Sequence, residues 1–190
     1  MPLPPCIETG RLRLRPRRLN DIDAIVEMDL NPDVYRYRDL RPETSMAIPD
    51  ETTVRNSVRS EILSSSPPDF WAVEWKDRQE FLGLAGLIAK PLGIVGLPYK
   101  SGTLFLAYRL AKGTWGQGIA SEAVTAALSS VLTTFQITRI DAQIDTRNAA
   151  SIALVESLGF VRTRLIEQAD EFKGAVSDEY HYSFDASRMR

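Results

Sequence analysis

Residues 104–122 read Leu-Phe-Leu-Ala-Tyr-Arg-Leu-Ala-Lys-Gly-Thr-Trp-Gly-Gln-Gly-Ile-Ala-Ser-Glu. An apolar run suited to a strand ends near Leu110, and a loop closing on Gly116 and Gly118 follows. A helical pattern begins at once: Ala120, Ala123, Val124, Ala127, Leu128, Val131, Leu132 and Phe135 recur at the spacing of one helix face. The first amides of a helix lack an intrahelical partner, and the macrodipole adds partial positive charge there. Glycines let a phosphate approach the backbone with no Cβ in the way. The Gly116–Ser121 turn is therefore a predicted seat for a phosphate or pyrophosphate.

Two familiar phosphate motifs do not fit it. A P-loop needs G-x-x-x-x-G-K followed by Ser or Thr, but Ile119 and Ala120 follow Gly118. The dinucleotide fingerprint G-x-G-x-x-G is incomplete, because Ser121 replaces its third glycine. That fingerprint also opens a domain, whereas a long stretch of chain precedes this one.

Outward from this segment, the periodicities alternate between strand and helix. Residues 11–16, 70–76, 81–89, 102–110, 139–145, 160–166 and 179–184 read as strands. Residues 20–30, 51–64, 118–135 and 148–158 read as helices, with Asn20 or Asp21 and Asn148 as N-caps. The 190 residues suffice for one domain, 1–190, with 1–8 as a flexible tail. The formal net charge of −2 favours no nucleic acid partner. Arg11, Arg13 and Arg15 alternate with leucines and read as a solvated strand face. Cys6 is the only cysteine and His181 the only histidine, so an intrachain disulfide, a His-based triad and a multi-His metal site are excluded. No apolar run suggests a membrane span or a leader, and a cytoplasmic location is expected.

Trp115-Gly-Gln-Gly-Ile-Ala-Ser-Glu-Ala123 resembles motif A of the Gcn5-related N-acetyltransferases, R/Q-x-x-G-x-G/A, in its W-G-x-G-x-A-x-E-A form. That form is typical of the ribosomal-protein alanine acetyltransferase (RimJ/RimL-like) branch. Other segments match that branch in order: Glu8–Pro16, Asn31–Val34, Phe70–Val73, Phe81–Leu87, and Asn148–Phe160 with its N-x-x-S and L-G-F. Asp178–Ser183 resembles the last strand. The resemblance implies an α/β fold with a mixed, mostly antiparallel central sheet of about six to seven strands flanked by about four helices. It implies acetyl transfer from acetyl-CoA, as co-substrate and without a metal, to a primary amine on a protein N-terminus or a small molecule. A non-catalytic acyl-CoA-binding module of the same fold is the alternative. No membrane partner is expected, and monomer and homodimer stay open.

The resemblance also distributes roles. Tyr108, Arg109 and Leu110 would line the cofactor cleft and supply an oxyanion-binding N–H. Trp115, Gly116, Gln117, Gly118, Ile119, Ala120 and Ser121 would hold the pyrophosphate, and Asn148 and Ser151 would face the pantetheine. The tyrosine that many relatives use as acid is replaced by Val155, leaving Ser151 as either the acid for the leaving thiolate or a local backbone cap. The glutamate common on the strand ending at Leu110 is replaced by Phe105. Asp170, in Ile166-Glu-Gln-Ala-Asp170, is then the candidate base, against a solvated loop acid. Tyr35, Arg36, Tyr37 and Arg38 would line the acceptor side.

Overall fold

The computed structural model describes residues 6–37, 50–64, 69–89, 102–172 and 175–189. These residues form one sheet of eight strands: β1 (Ile7–Glu8), β2 (Leu12–Pro16), β3 (Phe70–Trp75), β4 (Phe81–Ile88), β5 (Thr103–Leu110), β6 (Arg139–Asp145), β7 (Val161–Phe172) and β8 (Ala175–Asp185). The spatial order is β1-β2-β3-β4-β5-β6-β8-β7. Every neighbouring pair is antiparallel except β5 and β6, which run parallel. Among the described residues five α-helices accompany the sheet: α1 (Ile22–Leu30), α2 (Pro32–Tyr35), α3 (Glu51–Ser64), α4 (Ile119–Thr134) and α5 (Ala149–Ser157).

The predicted α/β class holds, with eight strands rather than six or seven and five helices rather than four. The extra strand is β1, where Ile7 and Glu8, expected in a tail, pair with Leu14 and Arg13. The extra helix is the single turn α2, capped by Asn31, whose side chain accepts from the Asp33 N–H. β7 reaches Phe172 because its polar second half bulges between Ile166 and Asp170 and then pairs again with β8.

Two apolar layers sandwich the sheet. On one face Ala123, Val124, Ala127 and Val131 of α4 pack on Leu12, Leu14, Leu104, Leu106 and Ile140. On the other, Ile25 and Val26 of α1 and Val58 of α3 pack on Phe70, Ala72 and Leu84. Alternation along β2 sends Leu12 and Leu14 to the α4 face and Arg13 and Arg15 to the other. Arg15 is not solvated, as its alternation suggested. It is 8% exposed and lies between Asp21 (2.8 Å, bidentate) and Glu74 (2.7 Å). Two carboxylates replace its water, the condition under which a guanidinium can be buried. Asp21 also accepts the Arg18 N–H, so it caps a short 3-10 turn, Leu19–Asp21, that leads into α1.

One departure from a continuous sheet positions the site. β5 and β6 pair only from Thr103 to Phe105 with Arg139 to Asp141. Beyond that, Leu106–Leu110 and Ala142–Asp145 diverge without a ladder between them. Since the two strands are parallel, the loop into α4 and the start of α5 both sit at this open end.

Candidate active site

The gap is lined by backbone on its β5 wall. The Ala111 N–H donates to Leu82 C=O (2.9 Å), toward β4. Successive N–H groups of a strand alternate sides, so the Tyr108 and Leu110 amides point the other way, into the gap. Gly83 of β4 (φ +151°) lets the two chains approach here: a Cβ on it would lie 2.3 Å from the Arg109 carbonyl oxygen and 2.7 Å from Leu110 Cα.

The glycine turn stands at the mouth. Gly116 and Gly118 both have φ +73°, the left-handed region glycine enters at no steric cost, and Gly118 is the N-cap of α4. Nothing lies within 4 Å of where a Gly116 Cβ would be. The loop is fastened from behind: Trp115 Nε1 donates to Leu110 C=O (2.9 Å), Thr114 Oγ1 to Ala111 C=O (2.7 Å) and Gln117 Nε2 to Gly113 C=O (3.0 Å). Ile119 is 1% exposed, so it offers a ligand only its backbone.

Glu122, in the first turn of α4, would repel a pyrophosphate if left bare. It accepts from the Thr9 hydroxyl, the Arg11 backbone N–H and Arg11 Nε (2.7 Å). Burial works to raise its carboxyl pKa, but these bonds outweigh it and hold the pKa below the ordinary value. Arg11 also donates to Gln117 C=O (3.1 Å), and its Nη2 comes within 3.5 Å of a Gly118 Cβ position. The acid is therefore committed, and a guanidinium borders the turn. The sequence does not mark Thr9, Arg11 and Glu122 as site residues, because their meeting spans 111 to 113 positions.

On the far wall, Asn148 caps α5 by accepting the Ser151 N–H (3.1 Å). That cap fixes Ser151 at the third helical position, and its hydroxyl faces Tyr108. Val155, at the position of the relatives' tyrosine, is fully buried, and Phe105 is 2% exposed. Asp170 lies in β7 rather than in a loop, opposite Ser177 of β8. Ser177 in turn bonds Asp145 at the end of β6. This places Asp170 at the same end of the sheet as α5.

Other expected residues are used differently. Arg109, expected at the cofactor cleft, turns its backbone carbonyl toward Gly83 of β4, and its side chain crosses to the α1 face and pairs with Asp29 (2.6 and 3.1 Å). Of the expected acceptor-side residues, Tyr35 is 2% exposed, which leaves Arg36 and Tyr37 among the described ones open to an acceptor. Arg36 stacks over the Tyr37 ring at 5.9 Å; Arg38 lies outside the described residues. The face away from α4 carries a polar cluster unforeseen in the sequence. His181 Nδ1 meets Thr163 Oγ1 at 2.6 Å, and its Nε2 lies 3.6 Å from Asp141. Asp141 is held below its ordinary pKa: burial opposes ionisation, and the neighbouring His181 and Ser183, with the hydrogen bond from Arg139 (2.6 Å), override it. No described helix is long and apolar enough to cross a membrane.

Residues 11–161 match the family described as acetyltransferase (GNAT) domain. The chain is 27% identical over 177 residues to "Uncharacterized N-acetyltransferase p20" of Bacillus licheniformis, covering 92% of this chain and 93% of that protein. It is 26% identical over 179 residues to "Uncharacterized N-acetyltransferase YoaA" of Bacillus subtilis, covering 94% and 96%. Among solved structures, a GNAT-family acetyltransferase of Bacillus anthracis superimposes with a TM-score of 0.77 at 21% identity, covering 96% of this chain and 99% of that one. RimL, a ribosomal L7/L12 alpha-N-protein acetyltransferase in complex with coenzyme A, gives 0.76 at 18% identity, covering 95% and 98%.

Proposed function

We propose, from the premise that this chain belongs to the GNAT acetyltransferase family and is an acetyl-CoA-dependent acetyltransferase, that it acetylates a primary amine in the β5–β6 gap. The observation that carries this reading is the coincidence at one sheet end of three features. These are the gap itself, the two left-handed glycines at the α4 N-terminus, and the Ser151 hydroxyl on α5. The backbone of Gln117–Ser121 holds the pyrophosphate. The Tyr108 and Leu110 amides receive the thioester oxygen as it gains charge, a contribution of about 3 kcal/mol for one well-placed donor. Ser151 protonates the leaving thiolate, and Asp170 holds or deprotonates the amine. Arg36 and Tyr37 flank the acceptor.

RimL acts on a ribosomal protein, and its 18% identity supports an amine acceptor here without naming one. The W-G-x-G-x-A-x-E-A form supports placement in the ribosomal-protein acetyltransferase branch. We take the protein to be cytoplasmic, as one domain over 1–190. The test is calorimetric titration with acetyl-CoA, CoA, NAD and ATP, followed by thiol release across a panel of protein N-terminal peptides and small amines. Binding of acetyl-CoA but not NAD or ATP, with thiol release on at least one amine, is expected. Binding of acetyl-CoA with no amine consumed would favour the non-catalytic module instead.

A further inference from the structure

Tyr108 carries a buried hydroxyl that no hydrogen bond in the structure satisfies. Buried hydroxyls almost always have a partner, so an orphan at the wall of a cleft calls for a reason. The side chain leaves β5 on the α4 face, like Leu106 and Leu110, at the level where β6 has turned away. The polar group facing it is the Ser151 hydroxyl, near enough to influence its titration yet short of a well-formed bond. Catalytic hydrogen bonds in an unliganded enzyme are often long and tighten when substrate binds.

We propose that Tyr108 is the positioning residue for Ser151: its phenol donates to Ser151 Oγ and turns the serine hydrogen into the gap, toward the departing sulfur. The proposal rests on the acetyltransferase reading above and adds to it a residue on a strand, not on the helix that carries Ser151. A hydroxyl that accepts one hydrogen bond keeps its own hydrogen for another partner. Asn148 already fixes the serine backbone by accepting its N–H, so the phenol has only the hydroxyl rotor left to orient. Burial raises the Tyr108 phenol above its ordinary pKa, with Ser151 acting against that rise. The ring is therefore a neutral donor at neutral pH.

In the step itself, the amine nitrogen forms a bond to the acetyl carbonyl carbon. The C–S bond then breaks with its electron pair on sulfur. The Ser151 proton passes to that sulfur, and the Tyr108 hydrogen bond stabilises the serine oxygen it leaves. The proton shed by the attacking amine returns to Ser151 through water, so the net transfer is from the amine to the thiol.

Tyr108→Phe removes only the oxygen and keeps the ring. The experiment compares wild type, Tyr108→Phe, Ser151→Ala and the double variant. It measures acetyl-CoA Kd by calorimetry, kcat with the best amine of the panel, and the pH titration of the thiol of bound CoA by its thiolate absorbance. Expected is an unchanged Kd and melting temperature for Tyr108→Phe, a kcat lowered about tenfold, and a double variant no slower than Ser151→Ala, because the two groups act as a unit. The thiol of bound CoA should titrate about one pH unit higher without the phenol, since a donated hydrogen bond favours the thiolate. Wild-type kcat with an unchanged thiol titration in Tyr108→Phe overturns the proposal, as does a double variant whose losses multiply. If no amine is turned over, the thiol titration alone decides it. Absence of acetyl-CoA binding in the wild type would instead overturn the parent reading, and this proposal with it.

Discussion

At Gly118 one residue serves two requirements, a left-handed N-cap and an open approach to the first amides of α4. Aspartate separates them. It enters the left-handed region at lower cost than most residues and is a good N-cap. Gly118→Asp should therefore fold while setting a carboxylate in the anion seat. Acetyl-CoA affinity should fall more than about tenfold, about 1.4 kcal/mol. Calorimetry on a folded variant checks this, and an unchanged Kd would remove the turn from the binding site. Asp170 invites a different measurement. A carboxylate near the amine attracts its cation but also raises its pKa, aiding binding while opposing deprotonation. Asp170→Asn should raise the acceptor KM, lower kcat, or both, and leave acetyl-CoA Kd alone. Steady-state kinetics showing none of these changes would exclude it from the acceptor site.

Among the elements, β4 sets how β5 stands at the gap. Because a Cβ on Gly83 would overlap the Arg109 and Leu110 backbone, Gly83→Ala must push β5 off β4. A loss of about 2 kcal/mol or more is expected, in the range of overpacked cores, with weaker acetyl-CoA binding. Chemical denaturation with a titration of the surviving fold tests both. The glycine-turn-helix segment was legible in sequence because its pattern is local: α4 runs Ile119–Thr134 with Ala123, Val124, Ala127, Leu128 and Val131 of the predicted stripe buried, and Ala120, Leu132 and Phe135 half-buried. What stayed hidden depends on partners far along the chain. Arg15 reads as a surface residue until Glu74, 59 positions away, and Asp21 are seen around it. The second half of β7, Glu167-Gln-Ala-Asp170, has no alternation to mark it as strand, and Gln168 sits at φ +50°. Asn148 as cap and Gly118 as turn were readable; the convergence of Tyr108 with Ser151 was not, since it exists only because β5 and β6 part.

For the whole molecule, the buried and half-buried acids set an acid limit. Asp141, Asp145 and Glu122 are all held below their ordinary values of 3.8, 3.8 and 4.5. In each case burial opposes ionisation, and hydrogen bonds with nearby cations prevail. A group depressed on folding contributes stability that is present above its unfolded pKa and lost as pH falls through its folded one. Stability should thus change little from neutrality to about pH 5 and decline steeply below about pH 4, where the unfolded chain binds more protons. Denaturant midpoints across that range check this, and a midpoint constant to pH 3 would contradict it. The sheet itself is two leaves, β1–β5 and β6–β8, stitched by three residue pairs, where β4 and β5 share six. The open seam leaves a row of amides that a guest chain can occupy like an inserted thread, so filling it joins the leaves mechanically as well as chemically. Hydrogen exchange at Tyr108 and Leu110 should accordingly be fast in the empty protein and slow when acetyl-CoA is bound. Equal rates in both states would mean that the seam is closed by something other than its ligand.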